Sequence, residues 1–249
     1  MSKKNNTLYL LFIIFLLFLF FFILYNNKEG FFSQDGQDDF LETTIFKGYK
    51  NGFFVDVGSH DGITINNTLY FEKEHNWKGI NIEPIKSVYD KLIVNRPNNI
   101  NINCAIYSND GETEFLNVIG HTQMLSGIKN TYDNRQLIRL DDESKASGST
   151  TETIKVPTKR LETIFDEHNV KHINYLSIDV EGAEFDVIKS INFDKVFIDI
   201  IGFESNYADN SVPIINYLKN KNYEIINNDK GQLDIFMINK NSTFYNKQI

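Results

Sequence analysis

Short apolar runs that stop at a turn and hand over to a helix-patterned segment recur through this chain, and that alternation most constrains its fold. Phe53-Phe54-Val55-Asp56-Val57 is apolar on both faces but for one acid. A strand covered by helices on both sides has this pattern, whereas a half-solvated strand alternates. A glycine-punctuated turn follows it and opens a helical stretch through Glu74; residues 78–83 read as a second strand, 85–95 as a helix and 100–106 as a third strand. Asp110-Gly111 and residues 113–118 suggest a hairpin strand, and the polar, Ser/Thr-rich residues 141–153 a flexible loop. The alternation then resumes with helix 161–168, strand 173–180, helix 183–190, strand 195–203 and helix 213–220. Residues 223–228 and 233–238 close it as two strands around the turn Asp229-Lys230-Gly231. Strands separated by helices imply an α/β fold with a doubly wound, mostly parallel sheet.

Residues 8–25 are a charge-free run of Leu, Phe, Ile and Tyr that spans about 27 Å at helical rise, close to the thickness of a bilayer core. It reads as a single transmembrane anchor, and Tyr25-Asn26-Asn27-Lys28 offers no small-residue site for cleavage as a signal peptide. Lys3 and Lys4 precede the run while Lys28 and Glu29 cancel after it, which predicts a cytoplasmic N-terminus and a domain on the lumenal or outer side. The organisation is thus a tail (1–7), the anchor (8–25), a linker (26–31), one domain (32–240) and a C-terminal tail (241–249). The formal charge of −8 leaves no basic surface for phosphates, so nucleic acid is not an expected partner. One cysteine, Cys104, excludes an internal disulfide and a thiolate metal site.

Three clusters carry chemistry. Gly58 and Gly62, in Asp56-Val57-Gly58-Ser59-His60-Asp61-Gly62, let the backbone approach a ligand at the strand's carboxyl end, although a plain structural turn has the same composition. Glu83 closes the second strand before Pro84, where a carboxylate can accept hydrogen bonds from both hydroxyls of a ribose; the alternative is a solvated strand end. Together they favour an adenosine-type ligand. Asp179-Val180-Glu181-Gly182-Ala183-Glu184 delivers carboxylates to the same sheet edge. One of them could take the proton of an acceptor hydroxyl, or hold a divalent cation, or merely cap the following helix.

At these residues the chain resembles the FkbM-type methyltransferases. The resemblance spans residues 32–238 and runs in order through Phe32-Ser33-Gln34-Asp35-Gly36-Gln37-Asp38, Gly52 to Gly62, Asn67-Thr68, Phe71-Glu72-Lys73 and Trp77 to Pro84. It continues through Asn95-Arg96, Asn103-Cys104-Ala105-Ile106, Met124-Leu125-Ser126-Gly127-Ile128 and the Asp179 to Glu184 cluster. It implies a Rossmann-like class I methyltransferase fold, S-adenosyl-L-methionine as cofactor, and a hydroxyl acceptor on a sugar or related product. Carried onto this chain, it implies that Asp56, Gly58 and Gly62, with Ser59 and His60 in the same loop, face the methionine part. Glu83 with Pro84 would serve the ribose and Ala105 the adenine edge, with Asp179, Glu181 and Glu204 on the acceptor side. His60 and His121 are possible bases, and Gln34 and Asp38 either cover the cofactor or cap the first helix. The loop departs from the family in carrying Ser59-His60 where a small residue followed by Asn is common.

Two other readings compete. Some membrane-anchored relatives resemble secretory-pathway adaptors rather than enzymes, but here the acids and glycines of the site are all present. A nicotinamide oxidoreductase would want G-x-G-x-x-G, which Gly58 and Gly62 do not supply.

Overall fold

The computed structural model describes residues 30–226 and 234–245. The apolar run 8–25 and the turn 229–231 lie outside the described residues, and among those described no helix is long and apolar enough to cross a membrane. Along the chain, α1 (Gln37–Leu41) continues as a π-helical turn, Glu42–Phe46. There follow β1 (Phe53–Val57), α2 (Leu69–His75), β2 (Lys78–Ile82), α3 (Lys86–Asn95), β3 (Ile100–Ile102), β4 (Ala105–Ile106), β5 (Gly111–Ile119) and β6 (Gly127–Ile128). The second half comprises α4 (Asn134–Ser147), β7 (Thr150–Lys159), α5 (Leu161–Glu167), β8 (His172–Ile178), α6 (Glu184–Lys189), β9 (Phe197–Glu204), α7 (Ala208–Asn220), β10 (Tyr223–Ile225) and β11 (Asp234–Asn239).

The main sheet has the order β10-β11-β9-β8-β1-β2-β3. β11 pairs antiparallel with both its neighbours, so β10 runs with the parallel strands and β11 alone runs against them. The chain proceeds outward from β1 through β2 to β3, then returns to place β8 on the other side of β1. Ligands of an open α/β sheet bind where the strand order reverses in this way, at the carboxyl ends. Side chains alternate between two apolar layers, as the two-residue period of a strand requires. Val55, Val57, Ile80, Ile82, Leu176 and Ile201 meet α5, α6 and α7 through Leu161, Ile164, Val187 and Leu218. Phe54, Tyr175, Ile200 and Phe236 face the other way, onto Phe40, Phe46, Phe71 and Trp77.

The structure corrects several expected elements. Residues 141–153 are not a loop. Asp133 accepts hydrogen bonds from the Arg135 and Gln136 amides while the Gln136 side chain accepts from the Asp133 amide, a capping box that starts α4. The ion pairs Arg139–Glu143 and Lys145–Asp141 run along it, and Gly148 ends it in the left-handed conformation. The threonines that follow build β7, which pairs with β5 from Gly111↔Thr158 to Ile119↔Thr150; with β4 and β6 they form a second, four-stranded sheet instead of a local hairpin. Residues 100–106 split between the sheets because the Asn103 side chain donates to the Glu83 and Pro84 carbonyls (2.8 and 3.0 Å), turning the chain off the main sheet before β4. The helix after the glycine turn begins only at Leu69, because Asp61 accepts from the Ile63 and Thr64 amides and holds residues 61–64 in a turn. α7 starts ahead of the expected position and carries Pro213 inside it.

Candidate active site

The carboxyl ends of β1, β2, β8 and β9 open into a cavity of about 550 Å³. Residues from the loop after β1, the β2–α3 turn and β4 line one side. Asp179, Glu181 and Glu204 line the other, with His121 to Ser126 of the β5–β6 connection and Arg139 and Glu143 of α4 completing it. Gln34, Asp35 and Gln37 reach it from the N-terminal segment.

Gly58 has φ 89°, and a Cβ there would stand 1.9 Å from the Asp179 carbonyl oxygen, so only glycine lets β1 and β8 deliver their ends to one cavity. The Gly58 and Ser59 amides both donate to the Ile82 carbonyl at 3.0 Å. The Ser59 hydroxyl donates to the Asp56 carbonyl (2.7 Å) and accepts from the Ile82 amide (3.0 Å), stitching the β1 and β2 ends together. Asp56 is buried on the cavity wall and accepts from the Asn66 amide group (2.8 Å) and the Thr68 hydroxyl (3.0 Å). Burial pushes its carboxyl above the usual range, opposed by the charge of Arg96 and these two hydrogen bonds. His60 lines the cavity at φ 50°, and among the described residues its two buried ring nitrogens have no hydrogen-bond partner, although Asp61 stands 3.6 Å from Nδ1. Gly62 does not line it: a Cβ there would lie 2.6 Å from Leu92 and 2.7 Å from Arg96, and its carbonyl accepts from Arg96 at 3.0 Å. The second glycine therefore packs the loop onto α3 and does not face the cavity.

Glu83 is buried at the end of β2 and accepts from the Ile85 amide at 2.7 Å. Burial pushes its carboxyl up to about 7; the Ile85 and His60 amides oppose the rise, and Asp56 and Asp61 add to it. Pro84 and Ala105 line the same side. A buried acid with lone pairs left beyond its bonds to backbone amides, two imidazole nitrogens without a hydrogen bond and an apolar strip fit the ribose and base of an adenosine ligand.

On the facing side, oxygens of Asp179, Glu181 and Glu204 lie within 4.8 Å of one another, a set that can share a proton or a hard divalent cation. Asp179 is open to the cavity yet walled in by protein on its other sides. That burial, with Glu204 and Glu181 beside it, holds its carboxyl well above the ordinary carboxylate range. Glu181, in the left-handed conformation at φ 53°, is pushed up to about 8 by burial and by Glu204, with Arg139 opposing at 3.7 Å. Burial raises Glu204 as well. Neither Asp179 nor Glu181 caps the following helix, whose N-cap is Ala183 with no side-chain cap bond, and Glu184 in its first turn accepts from the Gly182 amide at 2.9 Å. Gln34 and His121 line the cavity, whereas Asp38 accepts from the Phe32, Ser33 and Asp39 amides and fixes the segment before α1.

Sequence reasoning missed Arg139, in a stretch given no element, and Glu143, in the expected loop, although the spacing of Asp133 and Gln136 signals a helix start. It also gave no role to Asp35, which stands inside the motif Phe32 to Asp38, or to Asp234, and both lie at the cavity.

A parallel sheet with one reversed strand, a glycine turn after β1, a buried acid after β2 and further acids after β8 and β9 define an open α/β domain with an acid-lined cavity at the carboxyl ends of its strands. The methyltransferase FkbM domain matches residues 56–225, and the chain belongs to that family. No curated protein matches it significantly. Among solved structures it is similar to the methyltransferase FkbM from Methylobacillus flagellatus KT, at 12% identity and a TM-score of 0.45, over 75% of this chain and 43% of that protein. The chain thus spans less than half the length of that relative. A candidate rRNA methylase from Clostridium thermocellum shares 8% identity at a TM-score of 0.42, over 84% of this chain and 95% of the other.

Proposed function

We propose that the protein is an S-adenosyl-L-methionine-dependent O-methyltransferase whose acceptor is a hydroxyl on a carbohydrate or related compound. The observation that supports it most is that one cavity, at the switch between β1 and β8, has Glu83, His60 and Ala105 on one side and Asp179, Glu181 and Glu204 on the other. The first group suits the nucleoside of the cofactor, which when bound supplies the methyl group as a sulfonium. The second suits an acceptor hydroxyl: an ionised member of the trio would take its proton as the oxygen bonds to the methyl carbon and the carbon–sulfur bond breaks to leave a neutral thioether, while its protonated neighbours would hold the oxygen by hydrogen bonds. Because these acids titrate well above ordinary carboxylates, the ionised member is a correspondingly stronger base. A divalent cation at the same oxygens would instead lower the hydroxyl's pKa, and the trio is the residue set that would hold it. The charge-free run 8–25 supports tethering to a membrane, and Lys3 and Lys4 support a cytoplasmic N-terminus with the domain lumenal or outside.

Calorimetry on the full chain in detergent tests the cofactor, with S-adenosylhomocysteine expected to bind at micromolar concentration. No binding at millimolar concentration would leave the adaptor reading in place of the enzyme. Transfer of labelled methyl to oligosaccharides, with lipids and peptides as competing acceptors, tests the acceptor class. Label found on peptide nitrogen would overturn O-methylation.

A further inference from the structure

Arg96, just past α3, is a fully buried cation, and no part of it lines the cavity. Its guanidinium donates to the Glu72 carboxylate, to the Gly62 carbonyl (3.0 Å), to the Asn66 side-chain oxygen (3.0 Å) and to the Thr68 hydroxyl (3.3 Å), and it lies 5.2 Å from the centre of the Phe54 ring. Asn66 and Thr68 are the two side chains that donate to Asp56. The guanidinium, the amide or hydroxyl, and the carboxylate therefore form two relays, cross-linked because the single Thr68 hydroxyl proton can point to Asp56 or to the Asn66 side-chain oxygen (3.0 Å each), and an ionised Asp56 draws it to itself.

We propose that Arg96 sets the charge of Asp56 through Asn66 and Thr68, and thereby tunes how tightly the cavity holds the ammonium group of the cofactor's amino-acid part. This makes Arg96 a positioning residue, and the assignment rests on the cofactor reading given above. The charge of Arg96 works against the burial that raises the Asp56 carboxyl, so removing it shifts ionisation of Asp56 to higher pH. The other titratable groups around Asp56 are Glu72 on the far side of the guanidinium, Glu83 at the end of β2, His60 and Asp61 in the intervening loop, and Tyr175 on β8. Of these Glu83 titrates near neutrality, so the test must separate it from Asp56.

The experiment measures S-adenosylhomocysteine affinity of the full chain between pH 5 and 8.5 for wild type, Arg96→Met, Arg96→Lys and Thr68→Val, each also in an Asp56→Asn background. Carboxyl NMR of the labelled aspartates follows Asp56 itself without ligand. The low-pH fall in affinity should move up by about one pH unit in Arg96→Met, by less in Thr68→Val, and back toward wild type in Arg96→Lys. With Asp56→Asn the shift should vanish, although the Glu83 dependence persists. Should Arg96→Met not fold, Thr68→Val, which removes one relay and no charge, decides. An equal loss of affinity at every pH, or a shift that survives Asp56→Asn, would overturn the proposal. If the wild type binds no S-adenosylhomocysteine, the cofactor reading fails; the relay is then judged by NMR alone, and an Asp56 titration unmoved in both Arg96→Met and Thr68→Val overturns it.

Discussion

Replacing Glu83 by Gln should stabilise the unliganded protein at pH 8 while weakening its hold on the cofactor. Glu83 is buried, and its carboxyl stands at about 7 against an ordinary 4.5. The folded state therefore binds its proton more tightly than the unfolded chain does, a contribution fully present below pH 4.5 and lost as pH rises through 7. At about 1.4 kcal/mol per pH unit, charging Glu83 in place costs about 3 kcal/mol by pH 8 and about 2 kcal/mol at pH 6. Gln keeps the shape and can still accept from the Ile85 amide, so the variant sheds this cost. Urea unfolding of the full chain, followed by circular dichroism, should show Glu83→Gln more stable than wild type by ~2 to 3 kcal/mol at pH 8 and indistinguishable at pH 4.5. Affinity for S-adenosylhomocysteine should fall about 10- to 100-fold at pH 8, because charged hydrogen bonds to the ribose hydroxyls become neutral ones. A variant no more stable at pH 8 than at pH 4.5, relative to wild type, would refute the argument that burial strains the Glu83 carboxylate.

Gly58→Ala places a methyl group 1.9 Å from the Asp179 carbonyl at a positive φ, and should cost about 3 kcal/mol or more of stability together with cofactor binding, read by thermal unfolding and calorimetry. Asp179→Asn should lower methyl transfer by about 100-fold or more with cofactor affinity nearly unchanged, and full residual activity would remove it from the base role. Transfer rate should rise as pH passes through about 8, where Glu181 ionises, and Glu181→Gln should flatten that limb. Asp133→Ala should cost about 1 kcal/mol and loosen α4, lowering acceptor turnover through Arg139 and Glu143 before it affects cofactor affinity.

Much of the site was legible because its pieces are local. Asp56, Gly58, Glu83, Asp179 and Glu204 each sit at or just past the end of an apolar run, and in a parallel sheet those ends share one edge. Gly62 shows where that reasoning fails: the same residue type in the same loop meets α3 instead of the cavity, a matter of packing that no local pattern records. Residues 141–153 read as a loop because they are polar, although the capping box ahead of them and their run of threonines are helix and strand signals in their own right.

The sequence by itself determined the parallel sheet and which strand ends carry the acids, because hydrophobic period and turn residues act over a few positions. Only the tertiary structure decided that β5 and β7, remote in sequence, pair into a second sheet bordering the cavity. It alone also set the separation of Asp179, Glu181 and Glu204, and the burial of Arg96 behind Asp56. Those features depend on which distant surfaces exclude water from one another, and burial and charge proximity, which give the acids their raised pKa values, exist only once the chain has packed.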